Sequence, residues 1–125
     1  MKKEFMVLII AGLAVLAACN SSKNVTTSTA PKVAAKNGKH APGAEEVNAI
    51  QAKFPGVTLE KLTAGYKIYT EGACTKCHNS NNIYKYSESA WTNILEDMSP
   101  KAKLTDSEKD AVSKYVMSIK AAQPM

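Results

Sequence analysis

Within the five residues Cys74-Thr75-Lys76-Cys77-His78 stand two of the chain's three cysteines and one of its two histidines. No other stretch restricts the fold as much, because these groups must act together from a single turn of backbone. On a helical turn, thiols at i and i+3 lie on the same side, with the next residue's imidazole beside them. Such a constellation serves three chemistries: a redox dithiol, part of a zinc site, or a covalent anchor that also supplies a metal ligand. A redox dithiol belongs in a βαβ setting. A structural zinc needs four ligands, and only His40 or Cys19 is left to complete the set. A Cys74–Cys77 disulfide would close a loop too small to stabilise much.

The compartment is written at the N-terminus. Met1-Lys2-Lys3-Glu4 precedes an uncharged stretch from Phe5 to Cys19, shorter than the ~20 apolar residues of a spanning helix and patterned as a secretory signal. Its end, Leu16-Ala17-Ala18-Cys19, resembles the lipobox of bacterial lipoproteins. That resemblance implies cleavage before Cys19 and a diacylglycerol thioether on it, with each buried CH₂ contributing ~0.8 kcal/mol to membrane attachment. Residues 1–18 are then a signal peptide, and the mature chain is exported and lipid-anchored on the periplasmic or cell-surface side of a bacterial membrane. From Asn20 to Gly43 the only bulky apolar residues are two valines, too few to bury a core. Residues 19–43 therefore read as the anchored cysteine and a flexible tether, with His40 a solvated part of it. Residues 44–125 read as the domain.

Every basic residue of the chain is a lysine. Residues 58–125 hold nine lysines against eight acids, a near balance that gives nucleic-acid binding no electrostatic basis. Val47, Ile50 and Phe54 recur with helical spacing before Pro55-Gly56, and Leu59, Leu62, Tyr66, Tyr69 and Ala73 form a second stripe with Thr58 as N-cap. This second helix delivers the chain directly to Cys74. After the polar Asn79–Asn82, Ile83–Tyr86 is compatible with a short strand, yet no partner strand is apparent. A third helix runs from Ser87 to Met98, with Pro100 beyond its end. A fourth starts at the capping box Thr105-Asp106-Ser107-Glu108 and turns Val112, Tyr115, Val116 and Ile119 inward. The fold class is all-α, with three or more helices around one centre. One tryptophan, five tyrosines and about a dozen aliphatics make a small core, and domains below ~70–80 residues usually need a staple. Something besides the chain is expected to complete it.

In this setting Cys74-x-x-Cys77-His78 has the spacing of covalent haem c attachment, in which both thiols add to haem vinyl groups and the histidine ligates iron. The stretch from about Phe54 to Lys120 resembles the monohaem domain of class I type c-type cytochromes. Gly65 and Tyr69 before the motif and Tyr115 in the last helix also match. More specifically, "FPGVTLEKLTAGYKIYTEGACTKCH", "WTNILEDM" and "AKLTDSEKDAVSKYV" resemble compact bacterial cytochromes, often lipoproteins. The resemblance implies a small cytochrome c fold around one covalent haem, with Gly65 against Tyr115. No proline follows His78 within the loop, so the family's proline-carbonyl bond to the histidine cannot be carried over.

The sixth iron ligand is sought among Met98, Met117 and Met125. At about 100° per residue, Met98 shares a face with Trp91, Ile94 and Leu95 and points at the core. Met117 lies about 140° from Val112 and is expected at the rim, while Met125 ends the chain. Met98 is therefore the expected ligand with His78. Tyr84, Tyr86 and Trp91 are further candidates to line the haem edge, equally readable as packing. The expected function is one-electron transfer by a monomeric, membrane-tethered cytochrome c rather than enzymatic turnover. Its partners would be redox proteins: a quinol-oxidising complex, a terminal oxidase or another reductase. The alternative is a five-coordinate haem enzyme such as a peroxidase, or the haem subunit of a larger oxidoreductase.

Overall fold

The structure, a computed structural model, describes residues 36–123. They form α1 (Ala44–Ile50), α2 (Leu59–Thr70), α3 (Glu88–Lys101) and α4 (Asp106–Ala122), with 3₁₀ turns at Ala73–Thr75 and Ile83–Lys85. Among the described residues there is no strand, and none of the helices is long and apolar enough to cross a membrane. The all-α class expected from periodicity is thus observed. The signal segment, Cys19 and Met125 lie outside the described residues.

The helix starts follow from their caps. The Thr58 side chain accepts the Lys61 N–H and Ser87 that of Ala90. Thr105 Oγ1 accepts from Glu108 N at 3.2 Å while Glu108 Oε2 accepts from Thr105 N at 2.8 Å, so two donors that the helix leaves open are satisfied reciprocally. Those bonds from Thr105 hold the Glu108 carboxyl below its usual range.

Two local expectations change. Ile83–Lys85 is a 3₁₀ turn rather than a strand; its backbone groups find loop partners, as in Lys85 N to Asn82 O at 3.2 Å. Helix α3 does not stop before Pro100 but runs through it to Lys101. A proline in the last turn forfeits a bond without ending the helix there. The stop comes from Lys103, whose φ of 55° is left-handed. Its N–H bonds Pro100 O at 3.1 Å and the Leu104 N–H bonds Ser99 O at 3.0 Å, the paired bonds of a Schellman cap.

Helices α2 and α4 cross at Gly65. A Cβ there would stand 2.1 Å from Ala111 O and 2.8 Å from Tyr115 Cβ, closer than real atoms come, so only glycine permits the approach. The Gly65–Tyr115 contact implied by the resemblance is present. Val112, Tyr115, Val116 and Ile119 are fully buried, as their spacing predicts.

Met117 is not at the rim: it is only 4% exposed and belongs to the main core. The helical-wheel argument assumed one buried face, whereas every residue of α4 from Tyr115 to Ile119 is buried. Part of the cover comes from upstream. The folded unit extends below residue 44, for Gly38 is buried against Ile83 and Ile119, and Tyr115 Oη donates to Gly38 O at 3.2 Å and His40 O at 3.0 Å. His40 is likewise no solvated linker residue. Its side chain is 9% exposed, with Nε2 at 3.1 Å from Oε1 of the fully buried Glu46, whose Oε2 accepts the Gly43 N–H at 2.7 Å.

Candidate functional site

The motif sits where α2 ends. Thr75 N–H and Oγ1 both donate to Gly72 O, at 3.1 and 2.9 Å, tightening the turn that carries Cys74. Cys74 is half-buried, Cys77 and His78 are exposed, and both thiols are free. Burial pushes the Cys74 thiol above its ordinary pKa, opposite to the depressed value of a reactive redox dithiol.

These residues open on a cavity of about 480 Å³, lined by Cys74, Cys77 and His78 of the motif and by Trp91, Leu95 and Met98 of α3. The volume lies within the ~300–1,000 Å³ of pockets that enclose cofactors and similar ligands. Met98 differs from expectation in being 37% exposed. It faces the cavity rather than filled core, and the cavity is open. Met117 does not line it. Of the two described methionines, the structure therefore brings only Met98 to the cavity that His78 also lines.

His78 Nδ1 lies 2.9 Å from Asn79 O. A carbonyl only accepts, so this contact places the ring proton on Nδ1 and leaves the Nε2 lone pair for a metal. The orienting carbonyl, which the sequence could not name, comes from the next residue. Among the described residues no three His, Cys, Asp or Glu side chains converge to hold a metal ion. Thioether sulfur and imidazole on an apolar cavity nevertheless form a donor set suited to a metal carried inside a large apolar group.

The aromatic candidates divide. Trp91 is 2% exposed, lines the cavity, and donates Nε1–H to Ile83 O at 2.8 Å. Tyr86 lines the cavity too, its ring edge-on to Trp91 at 5.6 Å. Tyr84 does not; its hydroxyl donates to Gln123 Oε1 at 3.2 Å. Its place in the candidate site is corrected to packing beside the end of α4.

Tyr69 also lines the cavity and was not among the candidates expected from the sequence. Its ring meets Trp91 at 5.9 Å, and its hydroxyl donates to Asn81 O at 2.6 Å. Burial, then the neighbouring Cys74 and Tyr86, push its phenol well above the ordinary value, so it remains a neutral donor. The available signal was its place in the apolar stripe of α2, just over one turn before Cys74.

Comparison of the chain with protein-family models, with curated proteins and with solved structures finds no match.

Proposed function

We propose that this chain is a monohaem c-type cytochrome of the class I type that carries single electrons, held at a bacterial membrane by an acylated Cys19. Cys74 and Cys77 would hold the haem covalently, and His78 Nε2 and Met98 Sδ would ligate its iron. When bound, haem supplies a reversible one-electron iron couple, and His/Met ligation favours the reduced state relative to two histidines. Trp91, Leu95 and Tyr69 would keep water from that part of the cavity. Asn79 O holds the His78 proton on Nδ1 and so keeps Nε2 a donor. The observation that carries the reading is one apolar cavity lined by both motif cysteines, His78 and Met98. The partners proposed are a quinol-oxidising complex, a terminal oxidase or another reductase outside the cytoplasmic membrane.

The test is to express the full chain in cells equipped for c-type haem attachment and denature it. Haem retained by the wild type and lost from a Cys74→Ala, Cys77→Ala double variant is the expected result. Absence of covalent haem from the wild type would refute the reading. The exposure of Met98 favours a second possibility, an iron left open on that side for peroxide or a small gas. Carbon monoxide distinguishes them: slow, weak binding to the reduced protein fits a carrier, and fast, strong binding fits an open haem enzyme.

A further inference from the structure

The loop from Asn79 to Ile83 joins His78 to the rest of the fold, and three other parts of the chain hold its backbone. Tyr69 Oη of α2 donates to Asn81 O at 2.6 Å and Trp91 Nε1 of α3 to Ile83 O at 2.8 Å. The remaining holds come from residues 37–40. Lys39 Nζ donates to Ser80 O at 2.9 Å and lies 3.4 Å from Ser80 Oγ, and Asn37 O accepts the Ile83 N–H at 2.9 Å. Tyr69 and Trp91 are cavity walls, whereas Asn37 and Lys39 do not line the cavity at all.

This strap is itself fixed. Gly38 has a φ of +72°, and a Cβ there would come within 2.9 Å of Ile83 Cβ and 3.1 Å of Ile119 Cγ2. The carbonyls of Gly38 and His40 accept the Tyr115 hydroxyl. Lys39 N donates to Asn37 Oδ1 at 3.0 Å, turning the chain between them. The Lys39 side chain thus leaves a backbone anchored on both sides and reaches a carbonyl two residues beyond His78. An ammonium-to-carbonyl bond is among the stronger kinds, and its partial burial limits competition from water.

We propose that Lys39 is a positioning residue for His78. It acts through Ser80: by fixing the loop just past the imidazole, it sets where His78 stands on the cavity that α3 also lines. The role toward iron rests on the reading of His78 as a haem ligand, but the hold on the loop does not.

The test uses the full chain isolated from cells that attach haem c, as wild type, Lys39→Met and Lys39→Arg. Methionine keeps most of the apolar stem and removes the donor, arginine keeps donors and charge, and Lys67→Met, at an exposed site on α2, controls for the lost charge. Amide exchange at residues 80–83 should be about tenfold faster in Lys39→Met, recover in Lys39→Arg and stay unchanged in Lys67→Met. Unchanged exchange in Lys39→Met overturns the proposal. The second readout is the far-red iron-to-sulfur absorption band, expected to shift or weaken in Lys39→Met and to return in Lys39→Arg. Faster exchange with an unaltered band overturns the positioning role and leaves the proposed function standing. A wild type without haem overturns the ligand role of His78, and the positioning role with it, whatever exchange shows.

Discussion

The α2–α4 crossing and the α3 flank are built on opposite terms. At the crossing, two helices approach until only a glycine fits, and Tyr115 lies under Tyr66 and Tyr69 with ring centroids 5.6 and 6.0 Å away. On the α3 flank, Trp91 and Leu95 are buried, but Met98 stands open beside a cavity of about 480 Å³. Close packing stabilises through many small contacts, each of which an empty volume forfeits. The difference teaches that the fold is secured on one flank and that the candidate site lies on the other.

The strongest challenge to that contrast is Gly65→Ala. A methyl placed 2.1 Å from Ala111 O forces the helices apart and should cost about 3 kcal/mol or more by overpacking, despite the ~1 kcal/mol that alanine gains in a helix interior. A urea melt indistinguishable from wild type would show that the crossing is not where stability resides.

The two methionines sharpen the comparison next. Met117→Ala should destabilise by about 2–5 kcal/mol, the usual range for emptying a filled core site, and should leave iron ligation intact. Met98→Ala, measured before haem is attached, should change stability by less than about 0.5 kcal/mol, as exposed positions do. Denaturant midpoints of the two variants check the pair, and a reversal of the order would exchange the roles assigned to the flanks.

Alkali offers a third probe, acting mainly on the crossing. Tyr69 and Tyr115 are both held well above their ordinary values, chiefly by burial. In the unfolded chain a tyrosine ionises near pH 10, while the folded state keeps the neutral phenols. Their contribution is therefore fully present below about pH 10 and is lost as pH rises beyond it. Urea midpoints should fall steadily from about pH 10 upward, and Tyr115→Phe should flatten that fall.

The smallest effect is a gain. Lys103 occupies a left-handed cap, with φ 55°, at the end of α3, where glycine carries no steric penalty. Lys103→Gly should raise stability by about 0.5–1 kcal/mol, read as a higher thermal midpoint, with the cavity unchanged.

What was legible in the sequence was whatever repeats locally or follows a short-range rule. The caps at Thr58 and Thr105 need only a hydroxyl at the right offset, and the buried stripe of α4 needs only 3.6-residue periodicity. Gly65 and Tyr115 were legible through resemblance. Met117 escaped because a wheel assumes a single buried face, and α4 is covered on more. The strap was hidden for a different reason: Asn37–His40 is held by polar bonds to its backbone, by the Lys39 and His40 side chains and by one left-handed glycine, which leave no apolar pattern. Tyr84 and Tyr86 sit two residues apart around a 3₁₀ turn, and nothing in their types says which one meets the cavity. The motif itself was fully legible, but Tyr69 stood only in an apolar stripe and in the resemblance, because its bond to Asn81 O reaches a residue twelve positions away.

The central proposal is that the cavity takes a covalent haem whose iron His78 and Met98 would ligate. It is tested most directly by optical spectra of the matured full chain in wild type, Met117→Leu and Met98→Ala. The far-red iron-to-sulfur charge-transfer band is expected in the first two and is expected to be lost in Met98→Ala with haem still attached. A band that persists in Met98→Ala, or a wild type that carries no haem, would contradict it.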